Sequence, residues 1–367
     1  MLSLTEDIHI PAKKIHTILN DAEKAAKAVK LVYVQDSQPG ISRKKVKNNF
    51  QYFLDNKRVV DEVTLERIKK LVIPPAWTQV WICSLDNGHL QATGLDVKKR
   101  KQYKYHALWN SLRNHTKFYR LYEFGKAIPV IRQKLQQDLA LPGMPVEKVL
   151  AAVVCLMEQT SIRIGNNIYE KLYGSFGLTT LKNKHVKISG SQLQFVFKGK
   201  KGMDHNISIS DRRLAKIVKQ CREIPGKELF QYYDEEGNHK SIDSGMVNNY
   251  LKSIVEQDFT AKDFRTWAGT LQAIKAFKEM ERGESLSHIK QNIIAMLDAV
   301  SAHLGNTRTV CKKYYIHPAI INLYEQNQLE AYFKSDVKKE KDIKPYDLTT
   351  EEKLLMKILE KEKLICQ

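Results

Sequence analysis

The chain is short of the features that mark secreted, zinc-bound or membrane-spanning proteins. Its five cysteines, Cys83, Cys155, Cys221, Cys311 and Cys366, form an odd, widely spaced set with no C-x-x-C pair. Such a set suggests neither a disulfide framework nor a zinc site, and it fits a reducing compartment. No apolar run approaches the length of a membrane span, and the opening MLSLTEDIHIPAKK lacks the positive flank, apolar core and small-residue cleavage site of a secretory leader. A soluble, intracellular protein is therefore expected. Internal repeats and low-complexity blocks are absent too.

Acidic residues are also in deficit. Sixty Lys and Arg stand against 41 Asp and Glu, a formal charge of +19. Such an excess repels itself in a compact fold unless a polyanion relieves it, so nucleic acid is the first partner to consider. At 367 residues the chain is long enough for two domains, and its apolar content is that of an ordinary soluble protein.

The pattern changes along the chain. Helical spacing in the first 30 residues (Ile15, Ile18, Leu19, Ala22) gives way to short β-type runs, LVYVQ, TQVWICSL and HLQATGLD, separated by Pro39-Gly40 and Asp86-Asn87-Gly88. A helix is expected at VTLERIKKLV. After Tyr105-His106 the text is helical except for residues 185–211, where Leu193, Phe195 and Phe197 alternate with polar residues, which reads as three short antiparallel strands. The stretch KSDVKKEKDIKPYD reads as a charged linker, and a last helix is expected from about Thr350. The fold class expected is α+β, with a β-rich domain over 1–110, a helical domain over 111–333 and a linker plus helix over 334–367.

Several stretches bear on chemistry. In DVKKRKQYKYH, Arg100, Lys101, Gln102, Tyr103 and Tyr105 suit a duplex groove, with cations for phosphates, an amide for a base edge and phenols for stacking, or else form a solvated loop. LKNKHVK adds Lys182 and Lys184, and FKGKKG puts Lys200 in a tight turn. Val149, Val153, Leu156, Thr160 and Arg163 fall on one helical stripe, so Arg163 either snorkels to water or faces a cleft; Gly165 and Tyr169 follow. In AKDFRTWAGT, Asp263 is the expected N-cap, which puts Arg265 in the first helical turn beside unpaired amides. TRTVCKKYYIHP sets Tyr314 and Tyr315 side by side. Two arginines, a hairpin lysine and a late tyrosine form a coherent set for transesterification of a phosphodiester by a phenol, since fixed guanidinium groups can neutralise the charge of a pentacoordinate transition state as a metal does elsewhere.

From about residue 70 to 325, SIRIGNNIYEKLYGSFGLTTLKNKHVKI, KDFRTWAG and GNTRTVCKKYYIHP closely resemble the type IB DNA topoisomerases in their compact poxvirus-like and bacterial form. The resemblance implies a C-shaped clamp on double-stranded DNA and relaxation through a 3′-phosphotyrosyl intermediate. It also implies no ATP, cofactor or obligatory metal, a monomer, and a cytoplasmic location (nucleoid-associated in a bacterium). It assigns Tyr315 as nucleophile, Arg163 and Arg265 as clamps on the scissile phosphate, Lys200 as general acid and Asn306 as a donor to a non-bridging oxygen. Tyr169 becomes a supporting contact, Lys262 belongs to the K-D-x-R motif, and Gln102, Tyr103 and Tyr105 match the Q-Y-x-Y groove motif. Asn306 stands nine residues before Tyr315, where poxvirus-like members keep a histidine, whereas His303 lies three residues too early. A tyrosine recombinase would carry His-x-x-Arg where this chain has Lys262-Asp263-Phe264-Arg265. A non-catalytic basic DNA- or RNA-binding protein is the rival of another class.

Overall fold

The structure, a computed structural model, describes residues 18, 21–47, 49–97, 99, 101–257, 259–281, 283, 285–334 and 344–365. These divide into a unit ending at Tyr119 and a unit running from Arg120 to Glu362. Among the described residues no helix is long and apolar enough to cross a membrane. Ile15 and Leu19 of the expected first helix, and residues 335–343 of the expected linker, lie outside the described residues.

In the first unit, helix α1 (Ala22–Ala28) opens on Asp21, whose carboxylate accepts from the amides of Glu23 and Lys24 and so satisfies donors the helix cannot. A six-stranded antiparallel sheet runs in the order β3-β2-β1-β4-β5-β6. Its strands are β1 (Ile41–Val46), β2 (Asn49–Leu54), β3 (Lys57–Arg58), β4 (Thr78–Ile82), β5 (Leu90–Leu95) and β6 (Lys101–Tyr105). Helix α2 (Glu62–Lys70) begins one residue before the expected VTLERIKKLV stretch and ends two before its close, and it adds Ile68 to a core of Ile41, Val80, Ile82 and Ala92.

One expectation and one alternative reading change here. LVYVQ is not a strand: Val32 makes a single bridge to Gly88, the Val34 amide donates to His89 Nδ1 at 3.1 Å, and Tyr33 stacks on the same imidazole at 4.3 Å. A side chain has taken the donor a neighbouring strand would need. DVKKRKQYKYH, in turn, is no loop beyond its first residues, because Lys101–Tyr105 forms the edge strand β6.

Helix α3 (Ala107–Leu139) spans the division between the units. The second unit continues with α4 (Val146–Thr160), α5 (Asn167–Tyr173) and the antiparallel sheet β7 (Val186–Ser189), β8 (Gln192–Lys198) and β9 (Asp204–Ser210), the three-stranded insertion expected. Leu193, Phe195 and Phe197 of β8 are buried while Gln192, Val196 and Lys198 are exposed, the alternation that a sheet with one face on a core imposes. Then come α6 (Arg212–Glu223), the ribbon β10 (Gln231–Tyr233) and β11 (His239–Ser241), α7 (Ser244–Val255), α8 (Ala261–Glu279), α9 (Leu286–Leu304), α10 (Arg308–Tyr314), α11 (Pro318–Glu325), α12 (Leu329–Lys334) and α13 (Thr350–Ile365).

The core of this unit gathers on α4 and α8. Val149 to Met157 of α4 are all buried, and Phe124 meets Phe259, Phe264 and Trp267 edge-on at 4.9–6.1 Å between centroids. Helix α13 belongs to this core through Leu354, Leu355, Ile358 and Leu359. A buried ionic knot fixes its start: Arg132 donates to both oxygens of Glu352, to Glu158 and to the Asp347 carbonyl, and Trp267 Nε1 donates to Glu352 at 3.1 Å. The knot ties α13 to α3, α4 and α8.

Candidate active site

The site in the second unit is assembled where two helices end. Helix α4 stops at Thr160 because Ser161 turns into the left-handed region (φ 55°, ψ 17°). Arg163 is therefore not on the helical stripe expected for it; it lies in an extended segment held by Leu178 N and Thr179 N, which donate to the carbonyls of Arg163 (2.8 Å) and Ile164 (2.7 Å). Helix α9 ends at Leu304, with Gly305 in the left-handed conformation that favours glycine and Asn306 next in line. Both ends present carbonyls without an intrahelical partner.

Arg265 answers both of them. Its Nη1 donates to the Ser161 carbonyl and its Nη2 to the Leu304 carbonyl at 2.7 Å, so one buried guanidinium, 5 % exposed, joins the C-termini of α4 and α9. A cation at two helix C-termini is favourably placed, and this makes the burial of the charge tolerable. The expected cap is corrected: Thr260 is the N-cap of α8 and Asp263 completes its capping box, so Arg265 sits in the second turn. His303 Nε2 lies 3.1 Å from Ser161 Oγ, which gives that residue a supporting contact behind Arg265.

Arg163 Nη2 donates to Asn306 Oδ1 and, at 3.4 Å, to the Gly305 carbonyl. Because arginine only donates, the contact fixes the amide: Oδ1 faces the guanidinium and Nδ2 faces away. Burial lowers the Arg163 pKa, and the neighbouring Arg265 charge lowers it further; burial also lowers that of Arg265. Two mutually repelling guanidinium groups make a place for an anion. Two donors there, Asn306 Nδ2 and Arg265 Nε, are buried and have no hydrogen-bond acceptor among the described residues. Orphaned buried donors are rare enough in folded proteins to call for a ligand.

The phenol beside them is Tyr315. The Arg265 guanidinium carbon lies 5.2 Å from its ring centroid. Tyr315 is half-buried at the C-cap of α10 (φ −130°, ψ −6°), whereas Tyr314 is 38 % exposed with Lys313 over its ring. Sequence reasoning missed what docks Tyr315. A methyl group at Gly269 would stand 2.6 Å from the Tyr315 carbonyl and 3.1 Å from its Cβ, and Thr270 Oγ1 lies 3.3 Å from that carbonyl while accepting from His317 N at 3.1 Å. The signal was available, since Gly269 follows Arg265 by four residues and so shares its helix face.

The other candidates are placed as follows. Lys200 is exposed on a single helical turn at the tip of the β8–β9 hairpin. Lys182 is half-buried between Glu170 and Glu228, 2.8 Å from each, so its charge is already neutralised. Lys184 and Lys262 are exposed. The backbone of Tyr169 is in α5, but its side chain lies outside the described part of the structure, and Arg100 lies outside the described residues. On β6 the pleat puts Lys101, Tyr103 and Tyr105 on one face and Gln102 on the other. Gln102 Nε2 donates to Asp96 at 3.0 Å, and Tyr103 stacks on Tyr105 at 5.9 Å.

Guanidinium groups, an amide donor and a phenol gathered in one place make a site whose chemistry suits transesterification at a phosphodiester. Comparison with known proteins agrees. The catalytic core of eukaryotic DNA topoisomerase I matches residues 99–343, and the N-terminal domain of bacterial DNA topoisomerase IB matches residues 49–96. DNA topoisomerase 1B of Acanthamoeba polyphaga mimivirus is 34 % identical over 296 residues, covering 78 % of this chain and 88 % of the viral protein. DNA topoisomerase 1B of Vaccinia virus (strain Copenhagen) is 24 % identical over 248 residues (66 % and 75 %), and DNA topoisomerase 1 of Rabbit fibroma virus (strain Kasza) is 24 % identical over 268 residues (70 % and 81 %). The chain belongs to the type IB DNA topoisomerases, isomerases that act on DNA.

Proposed function

We propose that this enzyme relaxes positive and negative supercoils as a monomer, by a reversible transesterification that needs neither ATP nor a metal ion. The Tyr315 oxygen attacks the scissile phosphorus, and its O–P bond forms as the bond to the 5′ oxygen breaks. The phenolic proton leaves to water, and the Lys200 ammonium protonates the departing 5′ oxygen. Protein then stays on the 3′ phosphate, the free 5′ end swivels, and the same steps in reverse reseal the strand.

Arg163, Arg265 and Asn306 Nδ2 face the non-bridging oxygens, whose negative charge grows in the transition state. Arginine suits this task because its fork is fixed and always charged, and a lysine on an exposed turn suits proton delivery because its ammonium sits on a long, mobile stem. Lys101, Tyr103 and Tyr105 in the first unit, and Lys184 and Lys262 in the second, each contact the duplex, in the compartment that holds the cell's DNA.

The observation that supports the reading best is the pair of buried donors without acceptors, Asn306 Nδ2 and Arg265 Nε, beside the Tyr315 ring. Its test is relaxation of plasmids supercoiled in either sense, in EDTA and without ATP, with a denaturing quench. Both plasmids should relax, with protein trapped on the 3′ end. Tight binding with no relaxation would contradict the proposal.

A further inference from the structure

The β8–β9 hairpin holds Lys200 on a tip whose backbone is left-handed at Lys201 (φ 64°) and Gly202 (φ 76°). The last paired rows below it are Lys198 with Asp204 and Phe197 with His205. Within the second row the two rings stack, 4.9 Å between centroids and 16° between planes. The imidazole is half-buried and reaches past its own sheet. A methyl group at Gly199, next to Lys200, would stand 2.5 Å from His205 Nε2, and one at Gly305, next to Asn306, would stand 2.5 Å from His205 Cε1. One ring is thus wedged between the backbone that presents the lysine and the backbone that presents the amide donor.

We infer that His205 is a positioning residue that sets the reach of the Lys200 hairpin over the site formed by Arg163, Arg265 and Asn306. The inference rests on the function proposed above and concerns one step of it, transfer of the ammonium proton to the 5′ oxygen as that oxygen leaves phosphorus. The wedge suits a neutral ring, and burial together with the charges of Arg163 and Arg265 lowers the His205 pKa. A second tether, Phe176 N to the Lys198 carbonyl at 2.8 Å, holds the other side of the same hairpin. With its base fixed at both sides, the tip can present the lysine at one distance from the leaving oxygen.

The test separates proton delivery from phosphate binding. A cleavage position is first mapped on a synthetic duplex by trapping the adduct, and the duplex is then remade with sulfur replacing the bridging 5′ oxygen. A thiolate leaves without protonation, so a defect in proton delivery disappears on that substrate. His205→Ala should cleave the oxygen-linked strand about 10²-fold more slowly, the effect of a reacting group misplaced by an ångström, and the sulfur-linked strand at close to the wild-type rate. Gly199→Ala, which keeps the histidine but pushes its ring from the hairpin side, should behave alike and keeps the test open should His205→Ala fold poorly. Equal slowing on both substrates, or no slowing on either, would overturn the inference. Lys200→Ala is the reference: if sulfur fails to rescue it, the role proposed for Lys200 is wrong, and the inference goes with it.

Discussion

On β6 in the first unit, Tyr103 is 48 % exposed and the ammonium of Lys101 pairs with Asp36 at the surface. In the second unit Arg265 is 5 % exposed, and its two terminal nitrogens are committed to the carbonyl ends of α4 and α9. In the proposed function both regions offer positive charge to a phosphate. The exposed lysine acts through a field that water and salt screen, and its side chain must be ordered each time a ligand arrives. The buried arginine is ordered by folding itself, in a setting where charge is little screened, so it is oriented before DNA arrives. Replacements in the second unit should therefore cost rate and stability together, and those on β6 should cost only affinity.

Arg265→Ala should give the largest effect. Cleavage of a bound duplex should slow by about 10²–10³-fold, the scale for removing one donor aimed at a developing oxyanion. Two helix-end carbonyls would also lose their partner, so stability should drop by about 2 kcal/mol in denaturant unfolding. A variant with normal stability would break the comparison, because the arginine would then not be holding the helix ends.

Glu352→Gln should come next, and its effect should depend on pH. Hydrogen bonds and charge from Arg132 hold the Glu352 carboxyl below its ordinary pKa of 4.5, against the opposing effect of burial. Folding therefore stabilises the ionised form, so this contribution is complete above pH 4.5 and is lost as the pH falls through the lower native value. At neutral pH the variant should be less stable by about 3 kcal/mol, as expected for breaking a buried pair. The gap between the melting curves of variant and wild type should close on acidification; a gap independent of pH would contradict the account of how α13 is anchored.

The smallest effect is expected on β6. Lys101→Ala should weaken duplex binding a few-fold and flatten the plot of log affinity against log salt by about 0.9, one phosphate's worth of released counterions. The cleavage rate at saturating DNA should stay unchanged. An unchanged salt slope would mean that Lys101 stays with Asp36 when DNA binds.

How far the sequence is legible follows the same division. The three-stranded insertion can be read directly, since Leu193, Phe195 and Phe197 alternate strictly over one buried face. Strand β1 cannot, because Arg43, Lys44 and Lys45 run together on a largely exposed strand and leave no period-two apolar signal. The family resemblance singles out Arg163, Arg265, Asn306 and Tyr315, and the fold brings these four together. It does not reveal how they are held. The end of α4 is set by Ser161, a non-glycine residue in the left-handed region, and the helical period of the sequence runs straight past it to Arg163. Likewise His205, Gly269 and Thr270 gain meaning only from contacts across elements remote in sequence.

The central claim is that Tyr315, with Arg163, Arg265 and Asn306 around the phosphate, is the group that takes the DNA strand. It is tested most directly by trapping the adduct with denaturant, digesting protein and DNA, and sequencing the nucleotide-bearing peptide by mass spectrometry. The account predicts a single modified residue, Tyr315, carrying a 3′-linked nucleotide. The nucleotide on Tyr314, or a 5′ linkage, would contradict it.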